Sequence, residues 1–143
     1  MAQVGLLEDN TRIAKLCATM LQYAGHQVTV YEHPRECLDA LLPQAILYDH
    51  GHLSCKLPLP IDILLLDLHL PDIDGIEVLC LLNAHPHTQS LPLVFCTAAG
   101  PSETAHALSL APHASLLEKP FTFQELISTV KNVLAAHSLS RER

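Results

Sequence analysis

At 143 residues the chain is long enough for one compact domain that buries a core without disulfides or structural metals. Hydrophobic residues make up 49% of it and charged residues 16%, which excludes intrinsic disorder; no apolar run approaches the roughly 20 residues of a membrane-spanning helix. The formal charge is −7, and the eight Lys and Arg residues are scattered from Arg12 to Arg143, unlike the basic face of a nucleic-acid binder. The start, Met-Ala-Gln-Val, reaches Glu8-Asp9 with neither the basic end nor the apolar stretch of a signal peptide. The expectation is a cytoplasmic protein that binds neither membrane nor nucleic acid directly. The five cysteines, Cys17, Cys37, Cys55, Cys80 and Cys96, form no Cys-x-x-Cys pair and read as reduced, mostly buried thiols.

Two patterns alternate along the chain. Gln3–Leu7 is a short apolar run of strand length, and Thr11–Ala24 follows as a helix. Asn10 is its expected N-cap, and Ile13, Leu16, Cys17, Met20 and Leu21 share its apolar face. Val28–Tyr31 is a second strand. Pro34–Leu42 is a helix with proline in its first turn, where the missing N–H costs nothing, and it aligns Cys37, Leu38 and Leu41. Pro43–Pro60 resists the pattern: three prolines, Gly51, two histidines and a cysteine make it longer than an ordinary connection. Ile61–Leu66 is a third strand, Gly75–Asn83 a helix, and Leu91–Thr97 a fourth strand. Glu103–Leu110 is a helix and Ser115–Leu117 the fifth strand. Phe123–Ala136 is the clearest helix, with Leu126, Ile127, Val130, Val133 and Leu134 three and four apart. Strands alternating with helices predict a parallel sheet covered on both faces, an α/β flavodoxin-like (βα)5 doubly wound sandwich of order 2-1-3-4-5. In that fold ligands bind at the carboxyl ends of the strands.

Four features fall at those ends. Glu8-Asp9 follows the first strand, Asp67 the third, Thr97 ends the fourth, and Lys119 follows the fifth. Crowded carboxylates raise the cost of ionising one another, and a hard cation such as Mg²⁺ (or Mn²⁺) removes the conflict while accepting water and phosphate oxygens. Lys119 and the Thr97 hydroxyl are placed to meet the other oxygens of a phosphoryl group bound for Asp67, which is phosphoryl transfer by positioning and electrostatics. A zinc site at His50, His52 and Cys55 matches no standard spacing and reads as a His-rich loop. A flavin site is disfavoured because Glu8-Asp9 would repel a phosphate after the first strand.

The segments Leu-Leu-Glu-Asp-Asn, Leu-Leu-Asp-Leu-His-Leu-Pro-Asp-Ile-Asp-Gly, Phe-Cys-Thr-Ala and Glu-Lys-Pro-Phe, in this order, resemble the signature blocks of response-regulator receiver domains from two-component signalling. The resemblance covers about residues 3 to 136, which puts the domain at residues 1–137 and leaves 138–143 as a polar tail or the start of a linker. It implies that Asp67 is the phosphoacceptor, that Glu8, Asp9, Asp67 and the backbone carbonyl of His69 hold the metal, and that Thr97 and Lys119 contact the phosphoryl group. It also implies a cis Lys119–Pro120 bond and a loop after Asp67 shaped by Pro71 and Gly75. By the same resemblance the chain is a signalling phosphoacceptor with self-catalysed phosphotransfer rather than an enzyme. Its partners would be a sensor histidine kinase or phosphotransfer protein and a downstream protein or output domain. Readout, or a homodimer contact, would use the face over Glu103–Ala136.

Two departures from the family pattern stand out. Leu116 occupies the switch position where the family usually has an aromatic residue, and Pro43–Pro60 is an insertion. Both suit an alternative, a degenerate receiver that acts as a phosphorylation-independent interaction or dimerisation module. A haloacid-dehalogenase-like phosphohydrolase is a weaker alternative, since His69 stands where its second acid would be.

Overall fold

The computed structural model describes residues 2–42, 59–68, 75–98 and 100–142. Strands β1 (Gln3–Leu7), β2 (Gln27–Tyr31), β3 (Ile63–Leu66), β4 (Leu93–Thr97) and β5 (Ser115–Glu118) alternate with helices α1 (Thr11–Tyr23), α2 (Pro34–Leu41), α3 (Gly75–Ala84), α4 (Pro101–Leu110) and α5 (Phe123–Glu142). The strands form one sheet in the order β2-β1-β3-β4-β5, with every pair parallel. The expected fold and strand order are thus observed. Most of the insertion, residues 43–58, lies outside the described residues.

Successive strand side chains point to opposite faces, so each central strand feeds two cores. Leu7, Leu64, Leu66 and Phe95 pack with Cys37 and Leu41 of α2, Leu79 and Leu82 of α3, and Ala107 of α4. Val4, Leu6, Ile63, Leu65, Val94 and Cys96 pack on the other face with Ala14 and Leu21 of α1 and Leu126 and Val130 of α5. β3 is buried at all four positions, as a strand covered on both faces must be. Each fully buried leucine stabilises the fold by about 1.5–3 kcal/mol relative to leaving it in water.

Local chemistry sets the helix ends. Asn10 caps α1, its side chain accepting from the Ile13 N–H at 3.1 Å. Gly25, at φ +96°, closes the other end: its N–H reaches the Gln22 carbonyl and that of His26 the Leu21 carbonyl, a Schellman arrangement. His33 caps α2, with Nδ1 accepting from the Arg35 N–H at 3.2 Å. Thr122 and Glu125 exchange reciprocal hydrogen bonds at the start of α5, a capping box written in the sequence as Thr-x-x-Glu.

The differences from the predicted elements have local causes. Leu16 is 56% exposed, because the buried stripe of α1 runs through Ala14, Cys17 and Leu21. Ala14 is small, and the sequence pattern favoured the bulkier residue two positions further on. The ladder of β3 starts at Ile63 rather than Ile61: Asp62 instead clasps Gln3, donating its N–H to the Gln3 carbonyl and accepting the Gln3 N–H on its carboxylate. β4 starts after Pro92, which has no N–H to give the ladder. The last helix continues past Ala136 to Glu142, through the stretch predicted as a polar tail. That stretch contains neither Gly nor Pro, so nothing in it stops a helix.

Of the described cysteines, Cys17, Cys37 and Cys96 are buried and Cys80 is exposed. Burial pushes the Cys37 thiol up to about 12, and it raises Cys17 and Cys96 as well. A thiol reagent at neutral pH should therefore label Cys80 within minutes and leave these three unmodified until denaturant is added. Peptide mapping by mass spectrometry reads the outcome directly.

Candidate functional site

Because the strands are parallel and nearly in register, their carboxyl ends form one edge. Leu7 pairs with Leu66, Leu66 with Phe95, and Thr97 with Glu118, so the residues just after them emerge side by side. The backbone continues the ladder into the site. The Asp67 N–H donates to the Leu7 carbonyl at 3.1 Å, and the Lys119 N–H to the Thr97 carbonyl at 3.0 Å.

Carboxylate oxygens of Glu8, Asp9 and Asp67 lie within 4.8 Å of one another, and no other group of three metal-ligating side chains does so among the described residues. Glu8 and Asp67 are buried, at 3% and 6% exposure, whereas Asp9 is open to solvent. The Lys119 ammonium bridges the two buried acids, at 2.5 Å from Glu8 Oε1 and 3.1 Å from Asp67 Oδ2. The other Glu8 oxygen accepts the Asn10 N–H at 3.2 Å, which links the ion pair to the residue that caps α1.

Three carboxylates against one ammonium leave an excess of negative charge. Unit charges about 4 Å apart interact by roughly 4 kcal/mol at an effective dielectric of 20, so this crowding is costly. Burial pushes the Glu8 carboxyl above the usual carboxylate range; Lys119 pulls it back, and Asp67 adds repulsion. Burial works against the Lys119 charge too, but the hydrogen bond to Glu8 and the charge of Asp67 outweigh it and raise the lysine above its ordinary value. This donor set, oxygen-only and over-negative, suits a hard divalent cation.

Gly75 sets the floor of the site. A Cβ there would lie 2.6 Å from Leu68 Cα, 2.8 Å from the Asp67 carbonyl oxygen and 2.9 Å from the Leu68 carbonyl oxygen. All three are backbone atoms with little room to move, so the start of α3 can press against the Asp67–Leu68 segment only because residue 75 lacks a side chain. The Gly75 N–H also donates to the Leu68 carbonyl at 3.2 Å.

The structure thus brings together Glu8, Asp9, Asp67 and Lys119. Thr97, 1% exposed, ends the neighbouring strand. Leu116 is half-buried and packs against the core under α2, α3 and α4. The Lys119–Pro120 bond is cis. His69, Pro71, Ala99 and the His50, His52 and Cys55 cluster lie outside the described residues. Sequence reasoning gave Lys119 a phosphoryl-contacting task and did not see its pairing with Glu8, which stands just past the end of β1, with β3 and β4 between it and β5 in the sheet. His33 as a helix cap was missed as well, for histidine is an uncommon cap.

The family model for the response regulator receiver domain matches residues 4–131. The transcriptional regulatory protein CreB of Escherichia coli is 35% identical over 134 residues, 92% of this chain and 50% of that protein. The phosphate regulon transcriptional regulatory protein PhoB of Rhizobium meliloti is 30% identical over 135 residues, 94% of this chain and 52% of that protein. The chain spans about half the length of these relatives. Among solved structures, a putative response regulator from Chloroflexus aurantiacus superposes with a TM-score of 0.74 at 29% identity, covering 94% of this chain and 98% of that one. A CheY-like receiver domain protein from Methanospirillum hungatei superposes with a TM-score of 0.75 at 19% identity, covering 98% of each chain, a likeness of fold.

Two consequences can be measured. Gly75→Ala must displace backbone, so it should lower the unfolding free energy by ~1–3 kcal/mol in denaturant titrations, as overpacking does. Lys119→Met, compared with wild type without divalent cation, should be less stable at neutral pH. Folded Lys119 holds its proton more tightly than unfolded lysine does, so its contribution is complete below the ordinary lysine value. The wild-type advantage should therefore be flat from pH 6 to 9 and shrink above about 10.5, as the lysine deprotonates.

Proposed function

The chain belongs to the response regulator receiver domain family, and we propose that it is a signalling switch that takes a phosphoryl group onto Asp67. The donor would be a phosphohistidine on a histidine kinase or phosphotransfer protein, or a small acyl phosphate. The observation that carries this reading is the convergence of three carboxylates on one lysine at the edge where parallel strands end.

In the proposed reaction a carboxylate oxygen of Asp67 attacks phosphorus as the bond from phosphorus to the donor's nitrogen or oxygen breaks, and an aspartyl phosphate results. The Lys119 ammonium, 3.1 Å from Asp67 Oδ2, stands against the carboxylate that would attack. Lys119 lies between Glu8 and Asp67 and can follow the negative charge from the carboxylate to a phosphoryl oxygen without leaving Glu8. Asp9, exposed, together with Asp67 and Glu8, would hold Mg²⁺, which when bound neutralises the incoming phosphoryl oxygens. The Thr97 hydroxyl, from the end of β4, would donate to another of them. The carbonyl of His69 would complete the protein ligands.

The acyl phosphate would shift an equilibrium between conformations of the face over Glu103–Ala136, to which a downstream protein, a further domain or a second copy binds. Leu116 favours a second reading. With no ring or hydroxyl at that position, partner binding by this face would not depend on phosphorylation.

One set of experiments separates these readings. Incubation with acetyl phosphate and Mg²⁺ should add one phosphoryl mass to the wild type and none to Asp67→Ala, and EDTA should abolish the gain. Lys119→Met should slow the transfer by 10-fold or more, the scale of losing one electrostatic stabiliser. No mass gain with any small donor or divalent ion would overturn the phosphoacceptor reading and leave the interaction module.

A further inference from the structure

β5 is an edge strand. Among the described residues its one neighbour in the sheet is β4, and its other side faces a groove of about 790 Å³. The wall on the strand side is a consecutive stretch from Leu116 to Pro120, and the opposite wall is α5 at Gln124, Glu125, Ser128 and Thr129. Consecutive residues can line one wall only where the strand lies along the groove, so the groove follows the open edge.

The register says which backbone groups face it. The Lys119 N–H donates to the Thr97 carbonyl, and in a parallel ladder the groups that face one neighbour alternate along the strand. Ser115, Leu117 and Lys119 therefore turn their N–H and C=O groups toward β4, while Leu116 and Glu118 turn theirs outward. No hydrogen bond from another described element meets the Leu116 or Glu118 backbone. Donors and acceptors spaced in this way match one more strand.

Charge selects among possible strands. The groove is lined by Glu118, Glu125 and Lys119, but the Lys119 ammonium is turned to Glu8 and Asp67. Two exposed carboxylates remain as the charge presented to an occupant. Leu116 belongs to the strand wall of the groove and is half-buried, packed against the core under α2, α3 and α4.

We infer that the free edge of β5 is a strand-addition site for an extended partner segment that carries basic side chains, paired through the Leu116 and Glu118 backbone with a Lys or Arg against Glu118 or Glu125. This goes beyond the phosphoacceptor reading and does not require it. Where that reading holds the two are linked, since Lys119 is part of both the groove wall and the acidic site, and phosphorylation and strand binding must then alter each other reciprocally.

The test uses the full chain, unphosphorylated, as wild type and as Asp67→Ala, so that failure of the acceptor chemistry does not bear on it. The probe is a short synthetic peptide of alternating Val and Lys, set beside the same peptide N-methylated at every amide. Amide exchange followed by NMR should show Leu116 and Glu118 exchanging fast in the free protein, and slowing at least tenfold with the plain peptide. The methylated peptide, which cannot pair with an edge, should leave both unchanged. Glu118→Lys should weaken binding several-fold, and a peptide with Glu in place of Lys should bind more weakly still. Binding without protection of these two amides, equal binding of the methylated peptide, or no binding at millimolar concentration would overturn the inference.

Discussion

The structure turns on an electrostatic conflict at one end of a parallel sheet. Glu8 and Asp67 are both nearly removed from water, close to each other and to Asp9, and a single ammonium, that of Lys119, lies between the two buried acids. A buried carboxylate without a partner would be protonated or would destabilise the fold by several kcal/mol. Lys119 permits both acids to be buried, and the charge left over makes the cluster a candidate site for a hard cation. Stability and the proposed chemistry thus rest on the same pair of contacts.

The scaffold delivers these groups by register rather than by local sequence. Residues from β1, β3, β4 and β5 meet because parallel strands in near-equal register end together. Two full apolar faces hold that register, since a slip of one residue would carry each strand's core side chains to the wrong face. The site is then trimmed from below by Gly75, which lets α3 approach the backbone that bears Asp67 closer than any side chain would allow. From the side, Glu8 ties the lysine to the capped start of α1 through Asn10. Asp67 is therefore tied at once to α1, α3 and β5.

β5 has two roles because it is both the last strand and an edge. Its end carries Lys119 into the acidic site, and its open side borders the groove against α5. In a receiver domain with leucine at the position usually held by an aromatic residue, the backbone of this strand offers a route from the site to a partner that needs no rotating ring. Under the two proposals, closed packing on one side and an edge unpaired among the described residues on the other would couple a chemical event to a surface.

Much of this was legible in the sequence. The alternation of apolar runs with helical periods specified a doubly wound sheet, because burial on both faces needs near-continuous hydrophobicity in strands such as Ile63–Leu66 and a stripe in helices such as α5. Asp67, Glu8, Asp9, Thr97 and Lys119 could be picked out because each stands where an apolar run gives way to a polar residue, at the end where this fold gathers ligands. The cap at Asn10 is local chemistry and was read as such; the capping box at Thr122 is equally local but was not singled out. Tertiary structure alone decided the rest. It chose Ala14 over Leu16 for the core, since packing against a sheet rewards fit at close range rather than bulk. It joined Lys119 to Glu8 across 111 positions of chain, and it required glycine at position 75 because of backbone that lies beside it only after folding. Periodicity and residue type act along the chain, whereas ion pairs and steric exclusions depend on distances that exist only once the strands are side by side.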